Sequence, residues 1–199
     1  MSDNSISIVP KISTIPNNKT VAKNILDWLI ERDIVKSTPS NCILNSNEKG
    51  YAISEGARSV TISIGYSKIE LDQKGNIVQV PVDNYIPTDL VTNGLEIITQ
   101  RHVFDTGENY INELICPNCN ENIAHDDWDL YSWNDEKSDC LICPQCQYET
   151  EIHRFSFTPE WGFSDLGFKF WNWPDFTTEF VDEFKCKLNC EIAVIYQYI

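Results

Sequence analysis

The sequence predicts an α+β fold, a two-layer sandwich in which two helices cover an antiparallel or mixed sheet, interrupted by a cysteine-rich insertion. One segment near each end of the 199-residue chain repeats its apolar residues with the period of an amphipathic helix. Shorter segments around these helices alternate apolar and polar residues, which is typical of half-buried strands. Four of the eight cysteines fall in two Cys-Pro-x-Cys motifs between the two helical segments.

The N-terminal part is predicted to begin with a strand and a helix. Apolar residues alternate from Ile6 to Ile12, and Pro10 favours a position at or near a sheet edge, because proline cannot donate a ladder hydrogen bond. A helix is predicted from Lys19 to Lys36, where the apolar residues share one face. Trp28 lies on that face, so we interpret it as a core residue.

The middle of the chain is predicted to form strands. Cys42 lies in a polar, turn-rich segment, and we interpret it as a small buried apolar residue. Gly75 stands where a hairpin turn requires a positive φ. The predicted strands are Val60 to Ile64, the hairpin of Ile69 to Leu71 with Ile77 to Val80, and a longer strand from Leu95 to Phe104.

The C-terminal part is predicted to be a strand, a helix and a strand. Aromatic residues from Phe168 to Trp173 predict the first strand, which Pro174 ends. Aromatic residues at every fourth position then predict a helix from Asp175 to Leu188. Apolar alternation predicts a last strand from Glu191 to Ile199.

These elements together suggest two βαβ-like halves of a ferredoxin-like core, with the cysteine-rich segment inserted between them. The predicted division is an N-terminal α+β part over residues 1–112 and an insertion over residues 113–153. Residues 154–199 are predicted to form a strand-helix-strand part that completes the core.

The two cysteine motifs have the spacing at which paired thiolates meet around a tetrahedral zinc ion. We predict a structural Zn²⁺ site, because four protein ligands leave no position for a catalytic water. Two disulfides or a redox pair are less favoured, since the N-terminus does not resemble a secretory signal and two matching motifs indicate one shared metal. The predicted ligands are Cys116, Cys119, Cys143 and Cys146, with Cys140 as an alternate ligand or a neighbouring thiol.

Negative charge is concentrated in the cysteine-rich segment. The chain has a formal net charge of −15, and residues 116–152 contribute nine acids against one base. A solvated acidic surface that serves only solubility is one interpretation, and a binding site for a basic partner protein is the other.

Aromatic residues are interleaved with the acids in the middle of the insertion. They predict either a small packed cap over the metal site or a recognition surface for a cationic protein. The candidate partner-binding residues are Asp126, Asp127, Trp128, Asp129, Tyr131, Trp133, Asp135 and Glu136.

Short sequence segments along nearly the whole chain resemble those of a known family. They are Val9 to Ser13, Trp28 to Arg32, Asn93 to Glu96, the two cysteine motifs, Glu160 to Phe163 and Phe170 to Pro174. In these segments the sequence resembles an uncharacterised bacterial zinc-ribbon family whose members are often labelled sugar ABC transporter ATPase. The residues contradict that label, because the chain contains no G-x-x-x-x-G-K-[ST] phosphate loop.

The resemblance implies a zinc-ribbon protein without implying an activity. This chain departs from the usual ribbon motif after each second cysteine, where Asn120 and Gln147 stand in place of glycine. Asparagine accepts a left-handed backbone conformation more readily than glutamine does.

The sequence favours an interaction protein over a nucleic-acid-binding protein or an enzyme. The leading prediction is a cytoplasmic, acidic zinc-ribbon protein that binds a basic protein, in its concrete form a bacterial immunity protein that masks a toxin. Nucleic-acid association is the alternative, although phosphate contacts need lysine and arginine and the insertion offers only Lys137. An enzyme is third, with Arg101, His102, His153 and Arg154 as the residues that a pocket would use. No apolar run is long enough to span a bilayer.

Overall fold

The structure, a computed structural model, describes residues 3–62, 67–72, 74–81, 84–126, 128–135 and 138–199. Within these ranges the protein is a mixed α+β fold in which strands greatly outnumber the two helices. The helices are α1 (Asn18–Glu31) and α2 (Thr178–Leu188), and the strands are β1 (Asn4–Pro10), β2 (Val35–Ser40), β3 (Gly50–Ile53), β4 (Thr61–Ile62), β5 (Ser67–Leu71), β6 (Ile77–Pro81), β7 (Gly94–Ile98), β8 (His102–Phe104), β9 (Glu113–Ile115), β10 (Cys140–Ile142), β11 (Glu149–Glu151), β12 (Ser156–Thr158), β13 (Gly162–Ser164), β14 (Gly167–Trp171), β15 (Asp175–Phe176) and β16 (Ile192–Tyr198).

Six strands form the main sheet in the order β16, β1, β14, β7, β3, β2, and every neighbouring pair is antiparallel. Strand β1 is therefore the second strand of the sheet, next to the edge strand β16, so it lies near an edge as predicted but not at the edge itself. Pro10 is tolerated because it ends the strand. The N–H of Lys11 points toward β16 and donates to Glu191, so the nitrogen of Pro10 points toward β14. The register with β14 ends at Ile8, and a proline nitrogen beyond that point interrupts nothing in the ladder.

Both helices pack on one face of the sheet and share its main core. Alternation along the strands turns Ile8 of β1 and Phe168 of β14 toward the helices, where they meet Phe180 and Phe184 of α2. Trp28 of α1 packs against the same core, with ring centroids 5.7 Å from Phe180 and 5.6 Å from Phe184. Trp28 therefore packs against the core as predicted, although its side chain is only half-buried. Full burial of an aromatic side chain such as Phe184 contributes about 2 kcal/mol.

Helix α1 ends earlier than predicted. The N–H of Asp33 donates to Ile30, and Asp33 takes a positive φ of 55°, which ends the helix. Residues 35–40 then pair as β2 with β3. These two strands were not predicted, because the segment that contains them is polar and rich in turn-forming residues.

Other predicted boundaries shift as well. The long strand predicted from Leu95 to Phe104 is two strands in different sheets, since β7 pairs with β14 and β8 pairs with β13. Helix α2 begins later than predicted because the hydroxyl of Thr177 caps it, accepting from the N–H of Phe180 at 3.2 Å. Of the strand predicted from Val60 to Ile64, only β4 is seen, and residues 63 and 64 lie outside the described ranges.

The hairpin of β5 and β6 is confirmed. Its turn contains Gly75 with φ of 81°, in the conformation that glycine adopts most easily. Cys42 is also buried as predicted, with 5% of its surface exposed.

A second hydrophobic cluster joins the cysteine-rich part of the chain to β8, β12 and β13. Near its centre Phe163 is 1% exposed and contacts the rings of Phe157 and Trp133 at centroid distances of 5.3 and 5.7 Å. The cluster consists of Val103, Ile111, Leu114, Cys116, Ile123, Ala124, Leu130, Trp133, Cys143, Ile152, Phe155, Phe157, Trp161 and Phe163.

The predicted α+β class, with two helices and an antiparallel sheet, is confirmed. The ferredoxin-like arrangement, the inserted ribbon and the division at residues 112/113 and 153/154 stay predictions. In the described ranges, α1 and α2 both fall short of the length and apolarity that a membrane-crossing helix needs.

Candidate metal centre

The first cysteine motif folds into a tight turn that follows β9. The N–H of Asn120 donates to the carbonyl of Cys116 at 3.0 Å, and the N–H of Cys116 donates to the carbonyl of Glu121 at 3.1 Å. Asn120 takes a positive φ of 60°. This reversal brings both sulfurs of the motif to the same side of the turn.

The second motif repeats this geometry after β10. The N–H of Gln147 donates to the carbonyl of Cys143 at 2.9 Å, and the N–H of Cys143 donates to the carbonyl of Tyr148 at 2.9 Å. Gln147 also has a φ of 60°. The turn is therefore the same in both motifs although neither has the glycine that such a conformation favours.

Replacing Gln147 with glycine is expected to raise the free energy of unfolding by about 1 kcal/mol, because the left-handed conformation costs a residue with a β-carbon about that much. Thermal unfolding followed by circular dichroism in the presence of metal measures the change. The Asn120→Gly variant is the matched control, and it should gain less because asparagine tolerates this conformation. A larger gain at residue 120 than at residue 147 would contradict the argument.

Four sulfur atoms meet between the two turns. The Sγ atoms of Cys116 and Cys146 are 3.8 Å apart, those of Cys119 and Cys143 are 3.9 Å apart, and all four lie within 4.8 Å of one another. Four thiolates around a tetrahedral Zn²⁺ at about 2.3 Å have sulfur–sulfur distances of about 3.8 Å. The four predicted ligands can therefore hold a metal ion with little rearrangement.

Hydrogen-bond donors surround the sulfur atoms. The backbone N–H of Asn118 lies 3.4 Å from the Sγ of Cys116, and its side-chain amide nitrogen lies 3.5 Å from the Sγ of Cys146. The Asn118 amide lowers the pKa of the Cys146 thiol to about 6, whereas burial raises the pKa of the Cys143 thiol. The sequence prediction missed Asn118, since the variable position of a motif carries no signal of its own.

Cys140, the alternate predicted ligand, does not belong to the cluster of four cysteines. Cys140 is exposed and belongs to β10, where it is paired with Glu151 of β11, and it is not among the four clustered cysteines. Cys116 and Cys143 are fully buried, while Cys119 and Cys146 are partly buried. The centre is thus built into the second hydrophobic cluster.

The candidate partner-binding residue Trp133 is buried rather than exposed. Its side chain is 4% exposed in the short helical turn Tyr131–Asn134, so its assignment to a recognition surface is wrong. The guanidinium carbon of Arg101 lies 3.4 Å from the centre of its ring. Arg101 also donates to the Trp133 carbonyl at 2.6 Å and to Asp139 at 2.6 Å, which fixes the turn against the start of β8. The packed cap is the interpretation that this residue supports.

The other aromatic candidates differ in exposure. Trp128 is half-buried, and its indole N–H donates to the carbonyls of Ile123 and Ala124 at 3.1 and 3.2 Å. Tyr131 is 51% exposed, and its ring lies 5.8 Å from that of Trp161. Of the predicted aromatic contacts, Tyr131 is therefore the one that an incoming protein meets most readily.

The acidic candidates fall into three groups. Asp129 is exposed and accepts from the N–H groups of residues 131 and 132 at 3.1 Å, so it also stabilises the turn. Asp126 is half-buried and accepts from the side chain of Gln145, and Asp135 is exposed. Asp127 and Glu136 lie outside the described residues.

Further acids surround these positions. In the described residues between 102 and 153 the sequence places no lysine or arginine, and Arg101 at the border of this stretch is engaged with Asp139. Two exposed tyrosines that the sequence prediction missed, Tyr110 and Tyr148, lie in the same stretch. The exposed acids of this stretch are Glu108, Glu113, Glu121, Asp129, Asp135, Glu149 and Glu151.

Of the residues predicted for an enzyme pocket, His102 is half-buried, whereas His153 and Arg154 line a small cavity. Burial lowers the pKa of His102 to about 4, and its ring lies edge-on to Phe104 at 4.7 Å. His153 and Arg154 line a cavity of about 170 Å³, and the Nε2 of His153 lies 3.3 Å from the hydroxyl of Ser13. Ser13 is 7% exposed, so this hydroxyl is not placed to meet a substrate from solvent.

Comparisons with protein-family models, with curated proteins and with solved structures found no match to this chain. The class of the site therefore rests on its own geometry, a cluster of four cysteines able to hold a metal ion.

Proposed function

We propose that this protein is an acidic zinc-ribbon protein that acts by binding a basic protein, and that the metal supports the binding surface without taking part in chemistry. The observation that carries the proposal is the combination of four clustered sulfurs with a surrounding stretch whose described residues bear exposed acids and include no lysine or arginine.

Zinc is the proposed metal because soft thiolate ligands in tetrahedral geometry favour it. The sulfur–sulfur distances fit a tetrahedron, and four protein ligands complete the coordination. A closed site of this kind polarises no substrate and activates no water. Its contribution is to hold two turns together within the second hydrophobic cluster.

A basic partner is proposed because exposed charges of one sign concentrate on one part of the chain. Such a surface steers an oppositely charged protein and raises its association rate. Tyr110, Tyr131 and Tyr148 are exposed among these acids, and tyrosine is enriched at the centres of protein interfaces. Nucleic acid lacks equal support, since phosphate contacts need the lysine and arginine that this surface does not offer.

The proposed partner class is a basic toxin, which would make this protein an immunity protein. Masking requires only tight association with a cationic surface, and it needs no catalytic group in the inhibitor. The order β16, β1, β14, β7 with a helix after β1 and another after β14 supports the ferredoxin-like arrangement as the accompanying fold proposal.

Neutralising four exposed acids of this stretch is expected to slow association with the partner by about tenfold at low salt. Proteins captured from the native host by the wild type, the variant and a control are identified and their association rates measured. The variant carries Asp129→Asn, Asp135→Asn, Glu149→Gln and Glu151→Gln.

A matched control changes the net charge by the same amount elsewhere on the surface. It carries Glu31→Gln, Glu48→Gln, Asp89→Asn and Glu179→Gln, all at exposed positions. Capture of a basic protein by the wild type and the control, with loss in the first variant, is the expected result. Equal capture by both variants, or capture of acidic proteins only, contradicts the proposal.

A further inference from the structure

The two edges of the main sheet differ in how they are protected. The edge strand β2 contains Lys36 and Pro39, and its register with β3 shifts between Val35 and Pro39. Charged residues, proline and irregular pairing are the usual features that prevent an edge from pairing with another chain. Strand β16 at the other edge has seven residues, continuous pairing with β1, and no proline or lysine.

The outer side of β16 carries backbone groups that can pair with a further strand. The carbonyl of Glu191 faces β1, where it accepts from Lys11, so the backbone groups of the even-numbered residues face outward. Tyr198 follows this rule, since its N–H donates to Thr106 at 3.3 Å and its carbonyl accepts from Glu108 at 3.0 Å.

The 106–108 loop therefore covers only the end of the outer edge. Ile192, Val194 and Tyr196 also point their backbone groups outward, and in the described part of the chain these groups have no strand or loop paired with them. Unpaired N–H and C=O groups in a row are a template for strand addition.

A pocket of about 210 Å³ lies over the ends of β16 and β1 and borders the open part of this edge at Tyr196. Aromatic and apolar side chains of Ile62, Trp173, Tyr196 and Tyr198 line it together with the carboxylate of Asp175. Burial and the nearby Asp175 raise the pKa of the Tyr196 hydroxyl. No lysine or arginine is among the lining residues, so the pocket suits a side chain with an aliphatic stem and a cationic head.

We propose that the outer edge of β16 is a docking site for an extended segment of a partner protein, which adds as a strand and places an arginine or lysine in the pocket at Asp175. Alternate side chains of an added strand point to one face, so one of them reaches the pocket on the side of Tyr196. A second copy of this chain is a poorer occupant, because each copy carries a net charge of −15. The edge belongs to the main sheet, and the proposal is independent of the acidic surface near the metal centre.

The test uses the full-length, metal-loaded protein and a capped peptide of alternating valine and threonine with a central arginine. Binding is expected to slow hydrogen exchange at the amides of Ile192, Val194 and Tyr196 by about tenfold, because they become paired. Matched peptides with norleucine or glutamate at the centre are expected to bind about fivefold or more weakly. Binding that leaves these three amides unprotected overturns the proposal, and so does an equal affinity for all three peptides.

Two variants separate strand pairing from pocket recognition. Val194→Pro removes an outward N–H and obstructs the incoming strand, while the inward hydrogen bonds to β1 remain. It is expected to abolish peptide binding in a protein that still folds, with a somewhat lower melting temperature because Val194 packs against the main core. Asp175→Asn is expected to keep amide protection and to lose the preference for arginine over norleucine, which keeps the test decisive if the proline variant fails to fold. The proposal is overturned if the proline variant still binds the peptide or if the asparagine variant keeps the preference for arginine. It is also overturned if the wild type forms dimers that dissociate in Val194→Pro.

Discussion

Replacing Cys143 with serine is expected to release the metal and to destabilise the second hydrophobic cluster by several kcal/mol. Cys143 is fully buried, and its sulfur lies 3.9 Å from that of Cys119. Binding of a structural zinc ion to four ligands is worth on the order of 10 kcal/mol, and in small metal sites it is coupled directly to folding. Loss of one thiolate leaves three ligands and an open position, which weakens this coupling.

Elemental analysis and thermal unfolding measure both consequences of this change. We expect one zinc per wild-type chain and a large loss of zinc in Cys143→Ser, together with a lower melting temperature. A chelator should lower the melting temperature of the wild type toward that of the variant. Iron in place of zinc would contradict the proposed metal.

Cys140→Ser is the matched control because it removes a nearby thiol that lies outside the group of four. It is exposed in β10, and its loss should leave zinc content and melting temperature unchanged. Equal zinc loss in the two variants would show that the exposed thiol takes part in binding and would contradict the assignment of the ligands.

The four clustered cysteines could be predicted from the sequence because the chemistry of a metal site is local. Two residues separate the cysteines of each motif, so one tight turn fixes both sulfurs, and only the meeting of the two turns depends on the rest of the fold. Both helices were likewise predictable from apolar periodicity. Their ends were less so, since Asp33 and Thr177 end or begin a helix through backbone conformation and a side-chain cap.

The remaining elements depend on contacts between distant residues. Strand β2 is largely polar and strand β3 has only four residues, and their pairing in the main sheet is what makes them strands. The predicted long strand is also interrupted between β7 and β8. At this interruption the side chain of Arg101 contacts the ring and the carbonyl of Trp133. Nothing in the local sequence distinguishes a tryptophan packed under an arginine from one exposed for recognition.

Within the acidic, aromatic residues 126–136, Trp133 therefore has a structural role. Trp133 contacts Phe163 at 5.7 Å and lies beneath the guanidinium of Arg101, so it connects this segment to the second hydrophobic cluster. Arg101 is half-buried, and without this ring its guanidinium is less well packed. The buried Nε1 of Trp133 has no hydrogen-bond partner among the described residues, which costs folding free energy. Removal of the side chain relieves that cost and so offsets part of the lost packing.

Replacing Trp133 with alanine is expected to lower the free energy of unfolding by about 3 kcal/mol, near the lower limit for a buried aromatic side chain because of the unsatisfied Nε1. For a chain of this size the melting temperature falls by about 10 °C. Tyr131→Ala, two positions earlier and 51% exposed, is the matched control and should change stability by less than about 1 kcal/mol. Thermal unfolding of the zinc-loaded proteins compares them. If Tyr131→Ala destabilised the protein as much as Trp133→Ala does, the distinction between a buried anchor and an exposed contact residue would be wrong.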